Sequence, residues 1–153
     1  MFSQTVEYAL RALMYLASLD GAPVTSEKIA AQTRVPPGYL SKVMRDLVLA
    51  NLVASFRGPN GGFVLARPPA QITVLDAVNA VDPIRRILKC PLNDPGHADL
   101  CPLHRSLDDA LAHLEQTFRT TTLAGVLEGA GGQGCRGLIA DPKQPEKKSH
   151  DAA

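Results

Sequence analysis

The chain has 153 residues, of which 45% are hydrophobic, and a formal charge of +1. That size suits one domain or a small domain with an extension, and the hydrophobic content excludes a wholly disordered chain. No apolar run reaches the roughly 18 residues of a membrane-spanning helix, and the opening MFSQTVEYALRALMYLA lacks the basic start and cleavage site of a signal peptide, so a cytoplasmic protein is expected.

The first helix is predicted over Ser3 to Leu19. Val6, Leu10, Leu13 and Leu16 fall on one stripe, Ala9, Met14 and Ala17 widen it, and Asp20-Gly21-Ala22-Pro23 ends it. Thr25 caps a short helix from Ser26 to Gln32, with Ile29 and Ala30 inward. The turn Thr33-Arg34-Val35 carries no glycine, so its geometry is expected to rest on Pro36-Pro37. Pro37 suits the first turn of the next helix, where a missing N–H costs nothing. Leu40, Val43, Met44, Leu47 and Val48 repeat at helical spacing, while Ser41, Lys42 and Arg45 occupy the opposite face. Asn51 stands where the helix closes, since asparagine tolerates the left-handed conformation.

Two β-prone runs follow, 52–56 and 62–65, separated by Arg57-Gly58-Pro59-Asn60-Gly61. Two short helices joined by a tight turn, then a hairpin with arginine near its tip, are the parts of a winged helix-turn-helix. The second helix would fill a major groove, and Arg57 with Gly58 would enter the adjacent minor groove. An ordinary surface helix and hairpin is the competing reading of the same residues. Charge favours the first reading. Residues 1–67 hold seven Lys and Arg (Arg11, Lys28, Arg34, Lys42, Arg45, Arg57, Arg67) against four acids (Glu7, Asp20, Glu27, Asp46), a surplus that the rest of the chain offsets.

Arg67-Pro68-Pro69-Ala70 is a linker, and Thr73 caps a helix over 74–81 whose Val74, Leu75, Val78 and Val81 face inward. A loop of about twenty residues, 82–102, carries Cys90, His97 and Cys101 with Pro83, Pro91, Pro95 and Pro102, and a loop that long in a compact domain usually has a task. A long helix is then predicted from Leu103 to about Glu128. Its Leu103, Leu107, Leu111, Leu114 and Phe118 recur at three- and four-residue spacing, continuing to Thr121 or Thr122. No second seam of that length exists to receive it, which points to a dimerisation helix; an intramolecular core helix is the alternative. Glycine followed by charged, proline-bearing sequence makes 129–153 an expected disordered tail.

The residues with the most chemistry are Cys90 and Cys101, with His104 three positions beyond the second, in KCPLNDPGHADLCPLH. Thiolates and imidazole suit iron–sulfur, zinc or copper. Cys101 and His104 lie at the predicted start of a helix, where the positive dipole end lowers a thiol pKa. His97 is a lesser ligand candidate in a solvated loop, and Cys135 a lesser one in the glycine-rich tail, where it could instead be an incidental or redox-reactive thiol. Three cysteines in a reducing compartment disfavour a disulfide framework. The chain holds no phosphate loop ending in Lys-Ser/Thr and no nucleophile with a nearby base, so an enzyme is not expected.

The stretches EYALRALMYLA, GYLSKVMRDLVLANLV, SFRGPNGGFVLAR and ITVLDAVNAV resemble the IscR/NsrR/RirA-type transcriptional regulators, the Rrf-two family, in consistent order over residues 1–128. The resemblance implies a mainly α fold with a small β wing. A winged helix-turn-helix over 1–67 would be followed by a linker, short helix and cysteine-bearing sensor loop over 68–102 and a dimerisation helix over 103–128. It implies a homodimer that binds a double-stranded DNA operator, with no membrane and no small-molecule substrate. Tyr39, Ser41, Lys42 and Arg45 would face the groove, and Arg57 and Gly58 the wing contact. Many members carry an iron–sulfur cluster in this loop and sense iron, oxidants or nitric oxide. Cys90 matches the first cluster cysteine, Cys101 the third and His104 a histidine that some members have; the middle cysteine is absent. Glu7 matches an acid that some relatives supply across the dimer. The implied ligand set is Cys90, Cys101, His104 and Glu7, and by analogy with other mixed-ligand sites it favours 2Fe–2S over 4Fe–4S. A cluster-free regulator sensing through oxidation of Cys90 and Cys101, a zinc-stabilised variant and a winged-helix adaptor for other proteins are the alternatives.

Overall fold

The computed structural model describes residues 2–19, 21–91 and 100–129. Helix α1 (Gln4–Ala17) starts at Ser3, whose hydroxyl accepts the Val6 N–H at 3.4 Å. Its buried surface is broader than a single stripe: Tyr8, Ala12 and Tyr15 are buried as well as Val6, Leu13 and Leu16, while Leu10 is only half-buried. The reason is position, since α1 touches elements on most of its circumference and forms the axis of the core.

Helix α2 (Ser26–Thr33) is capped by Thr25, which accepts the Lys28 N–H. It ends at Arg34, which takes a left-handed conformation with φ 56° and ψ 33°. Pro36 and Pro37 therefore do not make the turn alone: Arg34 supplies the reversal that glycine supplies elsewhere, at a cost of roughly 1–2 kcal/mol for a residue with a Cβ. Helix α3 (Pro37–Leu49) buries Leu40, Val43, Met44 and Leu47. Beyond it Asn51 adopts φ 56°, as anticipated, and the Asn51 and Leu52 N–H groups donate to the Val48 and Leu47 carbonyls at 3.0 Å each.

Strands β1 (Val53–Phe56) and β2 (Gly62–Leu65) pair antiparallel with Val53 opposite Leu65 and Phe56 opposite Gly62. The hairpin is docked by a second ladder contact: the Val24 N–H donates to the Phe63 carbonyl at 3.0 Å, and the Phe63 N–H to the Val24 carbonyl at 2.8 Å. A Cβ on Gly62 would stand 2.5 Å from that Val24 oxygen, and Gly62 has φ +148°, so only glycine lets the wing approach so closely. A short 3-10 turn at Pro69–Gln71 leads to fully buried Ile72. Helix α4 (Val74–Val81) follows with a reciprocal cap, in which the Thr73 N–H donates to Asp76 and the Asp76 N–H to Thr73, each at 3.0 Å.

The expected single helix from Leu103 to Glu128 is two. Helix α5 (Pro102–Thr120) stops at Thr121, which is extended, and α6 (Leu123–Gly129) turns back onto α1. The break is held by the chain ahead of α4. The Val74 N–H donates to the Thr121 carbonyl at 2.8 Å, the Leu123 N–H donates to the Ile72 carbonyl at 2.9 Å, and Thr73 bridges to Thr122. Burial of Leu123 and the β-preference of threonine stabilise this arrangement over a continuous helix. No residue of α5 is fully buried; Leu103 is 65% and Leu107 48% exposed, with Leu111, Leu114 and Phe118 half-buried. Among the described residues no helix is long and apolar enough to cross a membrane.

Candidate metal centre and nucleic-acid interface

Residues 82–91 hold no regular structure, yet a side-chain clamp fixes them on α5. The Arg86 guanidinium forks onto Asp108 with distances of 2.7 and 2.6 Å, and the Ile87 N–H donates to the same carboxylate at 2.8 Å. Glu115 flanks the guanidinium at 3.5 Å. Arg86 and the Ile87 N–H hold the Asp108 carboxyl down to about 2. Asp108 lies one turn beyond His104 on the same face of α5. The clamp therefore delivers Cys90, only 8% exposed, to the histidine.

Cys101 is the residue at which α5 begins, and His104 is in its first turn. The His104 Nδ1 stands 3.1 Å from the Cys101 sulfur and 3.6 Å from that of Cys90. The Cys101 thiol is brought down to about 7, first by the His104 peptide N–H and then by its imidazole, which together outweigh partial burial. Ligand atoms of Cys90, Cys101 and His104 all lie within 4.8 Å of one another. Two sulfurs and a nitrogen gathered that closely, with one thiol more acidic than usual, fit a soft metal centre.

Glu7 is not part of this group within one chain. Its carboxylate takes the Arg11 guanidinium at 2.9 Å, one helical turn along α1. It lines a separate surface hollow with Phe2, Tyr8 and Arg34. His97 and Cys135 lie outside the described residues. Arg86 and Asp108 escape a reading of the sequence, because a pair so far apart has no periodicity. The one local signal was an acid a turn beyond His104 on a leucine-rich helix.

On α3, Tyr39, Ser41, Lys42 and Arg45 are all exposed, on the side away from its buried leucines. Tyr39 is 55% exposed, and its ring meets that of Tyr8 edge-on at 5.9 Å. The Ser41 hydroxyl donates to the Pro37 carbonyl at 3.1 Å. Arg57 and Gly58 are exposed in the turn between β1 and β2. Gly58 takes φ 106° and its carbonyl accepts the Gly61 N–H at 2.9 Å, which closes the tip of the wing.

A helix-turn-helix, a wing carrying arginine and a soft-donor site on the helix behind them define a winged-helix transcriptional regulator. The chain belongs to the Rrf2 family, described as "Iron-dependent Transcriptional regulator", whose model matches residues 2–129. It is 32% identical over 126 residues to the HTH-type transcriptional regulator NsrR of Geobacillus kaustophilus, covering 80% of this chain and 86% of that one. Among solved structures it resembles IscR of T. potens with a TM-score of 0.72 and 27% identity, covering 87% of this chain and 90% of that one. CymR, the global cysteine regulator of B. subtilis, shares the fold with a TM-score of 0.69 and 22% identity over 84% of this chain and 97% of its own. The chain is thus a DNA-binding regulator of transcription and not an enzyme.

Proposed function

We propose that the protein is a cytoplasmic homodimer whose grip on its operator is set by an iron–sulfur cluster, 2Fe–2S rather than 4Fe–4S. Its ligands would be Cys90, Cys101 and His104, with Glu7 of the partner subunit as the fourth. The observation that carries this reading is the convergence of two thiols and an imidazole within 4.8 Å at the start of α5. Tyr39, Ser41, Lys42 and Arg45 would meet the major groove, and Arg57 with Gly58 the minor groove.

When bound, the cluster supplies a centre whose charge and ligation respond to oxidants, nitric oxide or iron supply. The chain's own residues connect that centre to the reading head. Cys101 and His104 belong to the first turn of α5, and the Arg86–Asp108 clamp ties Cys90 to the same helix. Toward its far end, the Phe118 ring meets Phe2 with centroids 5.3 Å apart, just ahead of α1. From α1, Tyr8 reaches Tyr39 on α3. Helices α5 and α1, joined by these two ring contacts, would relay a change at the sulfurs toward Tyr39.

Purification without oxygen, followed by a visible spectrum and assays of iron and acid-labile sulfide, tests the reading. Brown protein containing both, and Cys101→Ala protein that has lost them, is the expected result. Colourless protein that still binds DNA overturns the cluster. It would favour a regulator of the same fold in which Cys90 and Cys101 sense by thiol oxidation, a reading supported by the low pKa of Cys101. Zinc in that colourless protein would identify the metal-stabilised variant, and loss of salt-dependent DNA binding altogether would leave a protein-binding adaptor.

A further inference from the structure

We infer that Arg34 seats its guanidinium on a DNA backbone phosphate at the edge of the groove that α3 reads, and so sets the depth and register of α3. The inference rests on the DNA-binding function and adds a contact to it. Three observations carry it. The first is conformational: Arg34 has φ 56°, a region where a side chain with a Cβ is disfavoured and glycine is free. Strain of this kind persists where the residue has a use that outweighs it. The second is partnership. Arg34 is exposed, and no ion pair or side-chain hydrogen bond engages it among the described residues. Two acids border the hollows it lines, yet Glu7 is taken by Arg11 and Glu27 leaves it unengaged. The third is place. Arg34 is the pivot between α2 and α3, and it shares a surface hollow with Ser41, on the face that carries Lys42 and Arg45. Because Glu27 also lines that hollow and repels phosphate, the contact assigned is to the guanidinium itself and not to the floor of the hollow.

A phosphate contact has a signature that a base contact lacks: it weakens all sequences alike and changes the salt dependence. The test uses a duplex selected by the wild-type protein from a random-sequence pool, an unrelated duplex, and the full chain with R34Q, R34G and R34K. R34Q keeps the backbone demand and removes the charge. R34G removes both, so its melting temperature should rise, which also verifies that it folds. The expected result is an equal loss of affinity for both duplexes in R34Q and R34G. The slope of log K against log salt should become shallower by about 0.9 per Arg34 engaged, while R34K keeps the wild-type slope. An unchanged slope in R34Q and R34G overturns the inference, as does a loss confined to the selected duplex, which would make Arg34 a base contact. Wild-type protein that enriches no duplex from the pool and does not bind the unrelated one would instead overturn the DNA-binding function beneath it.

Discussion

Asp108 shows how much one carboxylate can organise. It accepts two bonds from Arg86 and one from the Ile87 backbone, so a single side chain holds the approach to Cys90. Asp108→Asn keeps the shape, removes the charge and turns an amide toward donors it cannot satisfy. The expected outcome is a folded protein in which the Ile87 amide exchanges with deuterium roughly tenfold faster or more, and which retains less metal per chain. Slow exchange in the variant would remove Asp108 from this role. The same group makes a pH prediction. Its pKa falls from 3.8 to about 2 on folding. Its stabilising contribution is therefore complete above the unfolded value, declines below it, and is lost as the pH falls through about 2. Melting temperatures of wild type and Asp108→Asn should converge across that window, and a gap that stays constant down to pH 2 would contradict the assignment.

The wing is an element whose position depends on one glycine. Gly62→Ala would force a methyl group to 2.5 Å from the Val24 carbonyl in a backbone region that L-residues rarely adopt. A cost of about 2 kcal/mol follows from the strain alone, read as a lower melting temperature and weaker DNA binding. Gly38→Ala is the control, because a Cβ there meets nothing within 4 Å inside α3; it should stabilise the chain by about 0.4–1 kcal/mol. Equal melting temperatures for the two variants would mean that the wing is not locked to Val24. At this scale the sequence was most legible where the deciding chemistry is local. Thr25, Thr73 and Asn51 cap their helices as expected, each acting within a turn of itself. The end of α5 at Thr120 was not legible. The leucine spacing continues toward Glu128, and what breaks the helix is hydrogen bonding to Ile72 and Val74, distant in the chain. Arg34 is hidden for the opposite reason: propensity assigns the left-handed turn to glycine, and here arginine accepts it.

For the whole molecule the decisive feature is α5, which exposes Leu103 and Leu107 and buries none of its residues fully. In the proposed homodimer this open apolar seam would receive a second copy, and Leu107→Glu would place a charge in the middle of it. The variant is expected to elute from size exclusion as a monomer with near-native helix content, and to bind the selected DNA at least tenfold more weakly, since two linked reading heads reinforce one another. A Leu107→Glu protein that remains dimeric would move the interface elsewhere. The candidate site was legible as to its donors but not as to its support. Cys90, Cys101 and His104 stand out by their ligand chemistry, and the structure brings them together; the clamp that does so is an ordinary arginine and an ordinary aspartate until folded.

The stitch at Thr121 and Thr122 has a mechanical consequence. Helix α5 has 19 residues, which makes it a rod of about 28 Å. It is fastened at one end to the strand-like segment ahead of α4 and begins at Cys101 at the other. With the fulcrum at the threonines, a swing of about 5° displaces the Cys101 end by about 2.5 Å, comparable to the roughly 2.3 Å length of a metal–sulfur bond. Were the proposed metal centre bound there, making or breaking one bond at the tip would be geared to a small angular change at the base, so the helix would trade displacement for leverage beside the DNA-binding body.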